Sequence, residues 1–79
     1  MALILYTRHD CPLCDVAQNL LKAGGWRYDT VNIDTDLDLI QRFGTRIPVL
    51  VETTTGRVWD WPFNEQTLQA ADQSEREHH

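Results

Sequence analysis

Apolar positions change spacing several times along the chain, and each change marks an element. Leu3 to Thr7 is a short, nearly continuous apolar run, the pattern of a strand buried on both faces. Arg8-His9-Asp10 interrupts it as a polar loop. From Cys11 onward, Val16, Ala17, Leu20, Leu21 and Ala23 recur mostly at intervals of three and four, which predicts one apolar helix face. Pro12 suits the first turn of that helix, where a missing N–H costs nothing, and Gly24-Gly25 supplies its stop. Trp26 to Ile33 is expected to be a second strand anchored by Tyr28, Val31 and Ile33. Thr35 is expected to cap a short helix, with Asp38 three residues on approximating a capping box. Leu37, Ile40 and Phe43 form the apolar side of that helix, and Gly44 ends it. Pro48 to Thr53 is a third strand, Thr53 to Gly56 a hairpin turn, and Arg57 to Trp61 the return strand, closed by Pro62. Asn64 is a good N-cap for a last helix through Ala71, with Phe63 and Leu68 placed as a hydrophobic staple.

The element order is therefore β-α-β-α-β-β-α. A strand, crossover helix and strand form a parallel pair, and the terminal hairpin adds antiparallel strands. An α/β domain over residues 1–71 follows, with a four-stranded mixed sheet and helices on both faces. Residues 72–79 are charged and aperiodic and are expected to be a disordered tail. The closing His78-His79 pair resembles a purification-tag remnant and carries no functional weight.

Seventy-nine residues make one domain, near the size at which a core alone suffices for folding. A net charge of −5 disfavours nucleic acid and anionic membrane surfaces as partners. The run Ala2 to Tyr6 is too short for a signal-peptide core or a bilayer span. The expected location is the cytoplasm, and the expected state a monomer.

Two cysteines, Cys11 and Cys14, stand where the first strand hands over to the first helix. A disulfide across so short a loop adds only about 2 kcal/mol in the chain-entropy model. In a reducing compartment, structural disulfides are rare. Such a bond fits being made and broken better than holding the fold. Thiolate is the nucleophile in disulfide exchange. At the helix N-cap, Cys11 has free N–H groups and the helix dipole to support its anion. Cys14 lies about one turn on, within reach of a mixed disulfide at Cys11. Cys11 is thus the expected nucleophile and Cys14 the resolving thiol. Arg8 supports the thiolate, Asp10 opposes it, and His9 acts according to its charge. A zinc half-site is the competing reading, but there is no second cysteine pair and His9 is the one internal histidine. Two inert core cysteines are another. No metal or resident cofactor is expected.

Cys11-Pro12-Leu13-Cys14 after a strand, with Ile47-Pro48 opening the third strand, resembles the glutaredoxin branch of the thioredoxin-fold proteins. The resemblance covers roughly residues 3 to 71 and is closest to small bacterial glutaredoxin-like domains of unassigned function. It extends to the acidic turn Asn32-Ile33-Asp34-Thr35-Asp36. It implies a thioredoxin fold, a cis Pro48 beside Cys11, and an extended substrate segment pairing with the backbone of Ile47. Arg8 stands where glutaredoxins often have lysine, and Arg46 near a position that is typically threonine. Substrate-binding residues implied in this way, together with the helix start, are Arg8, Pro12, Leu13, Arg46, Ile47 and Pro48. Two features depart from the pattern. Leu13 replaces a usual tyrosine, and Trp59-Asp60-Trp61-Pro62-Phe63-Asn64 lacks the glycine pair and aspartate that hold glutathione.

The expected function is thiol–disulfide exchange in cell redox homeostasis, on a small thiol or a protein disulfide, with glutathione as a possible co-substrate. The alternative is a non-catalytic thioredoxin-fold module that binds a protein through a sheet edge and the Trp59/Trp61 face. For those two tryptophans, core packing is the preferred reading. A lesser alternative is a dimer sharing an iron–sulfur cluster through Cys11 and an external thiol.

Overall fold

Alternate residues of the first strand are apolar on both sides, so that strand needs cover on both sides. In the computed structural model, which describes residues 2–71, 73 and 76, β1 (Leu3–Thr7) accordingly lies inside the sheet. The order is β2-β1-β3-β4, with β2 (Asp29–Asn32), β3 (Val49–Glu52) and β4 (Arg57–Asp60). β1 and β2 are parallel, with Thr7 opposite Asn32. β1 and β3 are antiparallel, with Tyr6 opposite Val49, and β3 and β4 are antiparallel, with Val49 opposite Asp60. This is the expected four-stranded mixed sheet of a thioredoxin fold.

The crossover between β1 and β2 is α1 (Pro12–Ala23). Its buried residues Ala17 and Leu21 meet Leu3, Leu5 and Leu50 on one face of the sheet, together with Phe63 and Leu68. Phe63 and Leu68 flank the start of α3 (Glu65–Leu68), so both residues of the expected staple are buried in one cluster. Tyr6, Val49 and Val51 point the other way, to Ile33 and to Phe43 and Ile40 of α2 (Leu37–Phe43). Tyr6 stacks on Phe43 with ring centroids 4.7 Å apart. No helix among the described residues is long and apolar enough to cross a membrane.

Several expected boundaries shift, and four of the shifts have a local reason. The second strand begins at Asp29 rather than Trp26, because the Trp26 N–H closes the end of α1 by donating to the Leu21 carbonyl at 3.0 Å. Gly25, at φ 75°, makes that turn. The strand ends at Asn32, whose side chain accepts the Asp34 N–H and starts a 3-10 turn over Ile33–Thr35. The cap of α2 is therefore Asp36, not Thr35, and its carboxylate accepts the Asp38 N–H at 2.9 Å. Leu37 is 77% exposed, because Leu39, Ile40 and Phe43 form the buried stripe and Leu37 lies to its side. The last helix ends at Leu68 rather than Ala71. The Ala70 and Ala71 N–H groups bond three residues back, to Thr67 and Leu68, and so tighten the chain out of the α-helix. The Arg57 guanidinium also donates to the Ala70 carbonyl.

The hairpin turns at Gly56, with φ 77° and its N–H donated to the Glu52 carbonyl. Trp61 falls just outside β4, and Trp59 and Trp61 are half-buried and packed on the core of the α1 face. The Trp59 indole N–H donates to the Thr67 carbonyl. Of the tail, Arg76 donates to the Gly24 carbonyl at 2.6 Å, pairs with Glu65 at 3.1 Å and covers the Trp26 ring. The remainder of the expected disordered tail, apart from Gln73, lies outside the described residues.

Candidate active site at the carboxyl end of the central strand

The strand register gathers four connections at one end of the sheet. β1 ends there at Thr7 and β2 at Asn32, β3 begins there at Val49, and β4 ends there at Asp60. Arg8, the Cys11–Cys14 stretch and Arg46, Ile47 and Pro48 lie in or next to these connections.

Cys11 is the N-cap of α1, with extended backbone (φ −112°, ψ 100°). Pro12 takes the first helical position. The Cys14 N–H points back at the Cys11 sulfur, with nitrogen to Sγ 3.2 Å, and the Cys11 carbonyl accepts the N–H of Asp15. The two cysteines are joined in a disulfide, with their Cα atoms 5.2 Å apart. Their surroundings differ. Cys11 is half-buried, whereas Cys14 is 2% exposed beneath the helix. An incoming group can therefore approach Cys11 and not Cys14. A shallow depression beside Cys11 is lined by Arg8, His9, Asp10, Cys11, Pro12 and Asp15. Asp10 has φ 56°, in the left-handed region that aspartate tolerates better than most residues.

The cations of the site are committed to partners. Arg8 Nε lies 2.9 Å from Asp34, so the loop before Cys11 is tied to the turn after β2. Arg46 gives both Nε and a terminal nitrogen to one oxygen of Asp60, at 3.0 and 2.8 Å. Its guanidinium also sits 5.4 Å from the centre of the Phe43 ring. The Ile47–Pro48 peptide bond is cis, and Pro48 is fully buried at the start of β3. The Ile47 N–H is donated to the Phe43 carbonyl at 3.1 Å, closing the end of α2. Backbone pairing by a substrate at Ile47 would therefore run through its carbonyl. Leu13, between the cysteines, is 49% exposed.

Two participants escaped the sequence reading. Asp34 was legible only as part of an acidic turn, and Asp60 only as a polar residue between tryptophans. Each gains its place through a partner 26 or 14 residues away in the chain. Among the described residues no group of three or more His, Cys, Asp or Glu side chains comes together as a metal site.

A family model described as a glutaredoxin-like domain (DUF836) matches residues 2–71. Among solved structures, the X-ray structure of target protein XcR50 from X. campestris is 43% identical, with a TM-score of 0.78, covering 87% of this chain and 92% of that one. A point mutant of the thioredoxin-like protein BC3987 is 22% identical with a TM-score of 0.67, over 86% and 91% of the two chains. A wheat glutaredoxin is 13% identical with a TM-score of 0.62, over 94% and 76%. The last two are similar in fold alone. No match was found among curated proteins.

Proposed function

The chain belongs to the glutaredoxin-like domain family, and from that premise we propose that it is a thiol–disulfide oxidoreductase. The observation that carries this reading is the unequal pair at the start of α1. Cys11 is the accessible sulfur, and the Cys14 N–H is already directed at it. In the reduced protein the same N–H and the helix N-terminus favour a Cys11 thiolate.

The Cys11 thiolate attacks one sulfur of a substrate disulfide, and the other substrate sulfur leaves as thiolate and takes up a proton. Cys14, on losing its proton, then attacks Cys11 Sγ. The Cys11–Cys14 bond forms, and the first substrate sulfur leaves as a thiol. Two electrons pass from the protein to the substrate, and a dithiol or thiol reductant restores the pair. Arg8, Pro12 and Leu13 border the reacting sulfur. In this reading Arg46, Ile47 and Pro48, at the same end of the sheet, receive the rest of the substrate, with the Ile47 carbonyl as the acceptor for an extended segment. No resident cofactor is required. The substrate is a small thiol or a protein disulfide, and the protein works as a monomer in a reducing compartment such as the cytoplasm.

The test is redox titration of the wild type beside Cys11→Ser and Cys14→Ser variants. The wild type should show a reversible two-electron couple, at about −200 to −270 mV if it resembles thioredoxins and glutaredoxins. Cys14→Ser should accumulate a mixed disulfide at Cys11, measured by intact mass, and Cys11→Ser should not. No reversible couple and no trapped adduct would end the proposal.

A further inference from the structure

We propose that the preferred substrate is a disulfide in a basic polypeptide segment, and that anionic small disulfides such as glutathione disulfide are disfavoured. This rests on the oxidoreductase reading above.

The first ground is that Arg8, which lines the depression, and Arg46, which precedes Ile47-Pro48 at the same end of the sheet, are held by the protein's own carboxylates. Arg8 is paired to Asp34 at 2.9 Å and Arg46 to Asp60 at 2.8 Å. A substrate carboxylate therefore meets guanidinium groups whose charge is already compensated by an aspartate. The second is that the depression at Cys11 holds two further carboxylates, Asp10 and Asp15, both exposed. The Asp10 side chain is 93% exposed, and its neighbour His9 is 3.9 Å away and itself 84% exposed. With Asp34 and Asp60 balanced by Arg8 and Arg46, the two carboxylates of the depression are left without a guanidinium in these pairs. The chain as a whole carries −5, so the field at longer range has the same sign.

The third ground is apolar. Leu13 and Val16, three residues apart on α1, share one side of the helix and are each 49% exposed. They extend from the cysteine pair as a short apolar strip beside the acidic one. A polypeptide with an apolar residue next to its cysteine, and lysine or arginine beyond, meets both strips. A small disulfide carrying free carboxylates meets neither.

The chemistry is the two-step exchange already written, with the reduced protein as the sole electron donor in a single turnover. The reduced wild type is mixed without oxygen with one of two synthetic peptides. Both contain the same internal disulfide and the same leucine beside it, and differ only in flanking lysines or glutamates. Glutathione disulfide and the neutral bis(2-hydroxyethyl) disulfide are run in parallel, and loss of protein thiol is followed by mass. The lysine peptide should react about tenfold faster than the glutamate peptide at low ionic strength, a ratio within the reach of electrostatic steering. The ratio should collapse in concentrated salt, where screening acts within a few ångströms. In the Asp10→Asn/Asp15→Asn variant it should fall to about twofold or less; asparagine also tolerates the left-handed backbone at position 10. Leu13→Ser/Val16→Ser should slow the lysine peptide more than the neutral disulfide. Equal peptide rates, or faster reaction with glutathione disulfide, alongside oxidation by the neutral disulfide, would overturn the preference and leave the oxidoreductase standing. If Cys11 reacts with none of the four, both readings fall.

Discussion

Reduction of the Cys11–Cys14 bond opens a loop that spans only three steps of the chain. The chain-entropy model assigns that closure about 2 kcal/mol of stability. Reduction returns part of it. A thiolate at the N-cap of α1 gains roughly 0.3–1 kcal/mol from the helix end, and the Cys14 N–H remains available to it. The net loss on reduction should therefore be about 1 kcal/mol. For a domain of this size that lowers the melting temperature by roughly 4–8 °C. By linkage, the folded pair should be about 20 mV more reducing than the same pair in the unfolded chain. Removing both sulfurs, with Cys11→Ser/Cys14→Ser, leaves a neutral cap and should cost the full loop term, about 2 kcal/mol. Cys11→Ala in reduced protein should cost about 1 kcal/mol more than Cys11→Ser, because alanine cannot cap the helix. The assay is thermal denaturation followed by circular dichroism, oxidised against reduced, with the variants alongside. A drop above about 20 °C on reduction, or outright unfolding, would show that the bond is a structural staple. The reasoning that treats it as a switch would then fail.

Other outcomes follow from the fold. Leu21→Ala removes a fully buried side chain from the α1 face and should cost about 2–5 kcal/mol, read from the urea midpoint. A domain of this size has only about 4–12 kcal/mol in all. Gly56→Ala meets no neighbouring atom within 4 Å, so its cost is the positive φ alone, about 1–2 kcal/mol in the same measurement. Burial raises the Tyr28 pKa above its ordinary 10.0 by penalising the phenolate. Protonated Tyr28 therefore contributes stability that is complete below that ordinary value and is lost as pH rises through the folded value. Tyr28→Phe should flatten the alkaline fall in stability and remove a late component from the ultraviolet phenolate titration.

Most of the fold was legible because its elements are dictated locally. β1 reads as buried from its composition, α1 from its spacing and its proline start, and α3 from the Asn64 cap, which the structure completes with Thr67. The errors occur where a backbone group had a competing partner. The Trp26 N–H looks available for a strand ladder in the sequence, yet it lies within reach of the Leu21 carbonyl once Gly25 turns. Asp36 displaces Thr35 as a cap because Asn32 has already begun a tighter turn. The cysteine pair was legible for the same local reason as α1, since it lies on that helix's own start. What surrounds the pair was not, because the Arg8–Asp34 and Arg46–Asp60 contacts exist only after the four connections meet at one sheet end.

Those two ion pairs have a small worth in stability and a larger one in charge. All four side chains are more than a third exposed, between 39% and 56%, and exposed pairs of this kind contribute about 0.2–1 kcal/mol each. That is too little to fix the loops, which are already held by the strand ladders and by the Ile47 N–H at the end of α2. Their main consequence is to set which charges a visitor to Cys11 encounters. With Arg8 turned to Asp34 and Arg46 to Asp60, the carboxylates of Asp10 and Asp15 dominate the approach. The same fold could favour an anionic thiol if those guanidinium groups were released. Asp34→Asn and Asp60→Asn should accordingly change substrate charge preference by more than they change the melting temperature, whereas a purely structural role for the pairs would reverse that order.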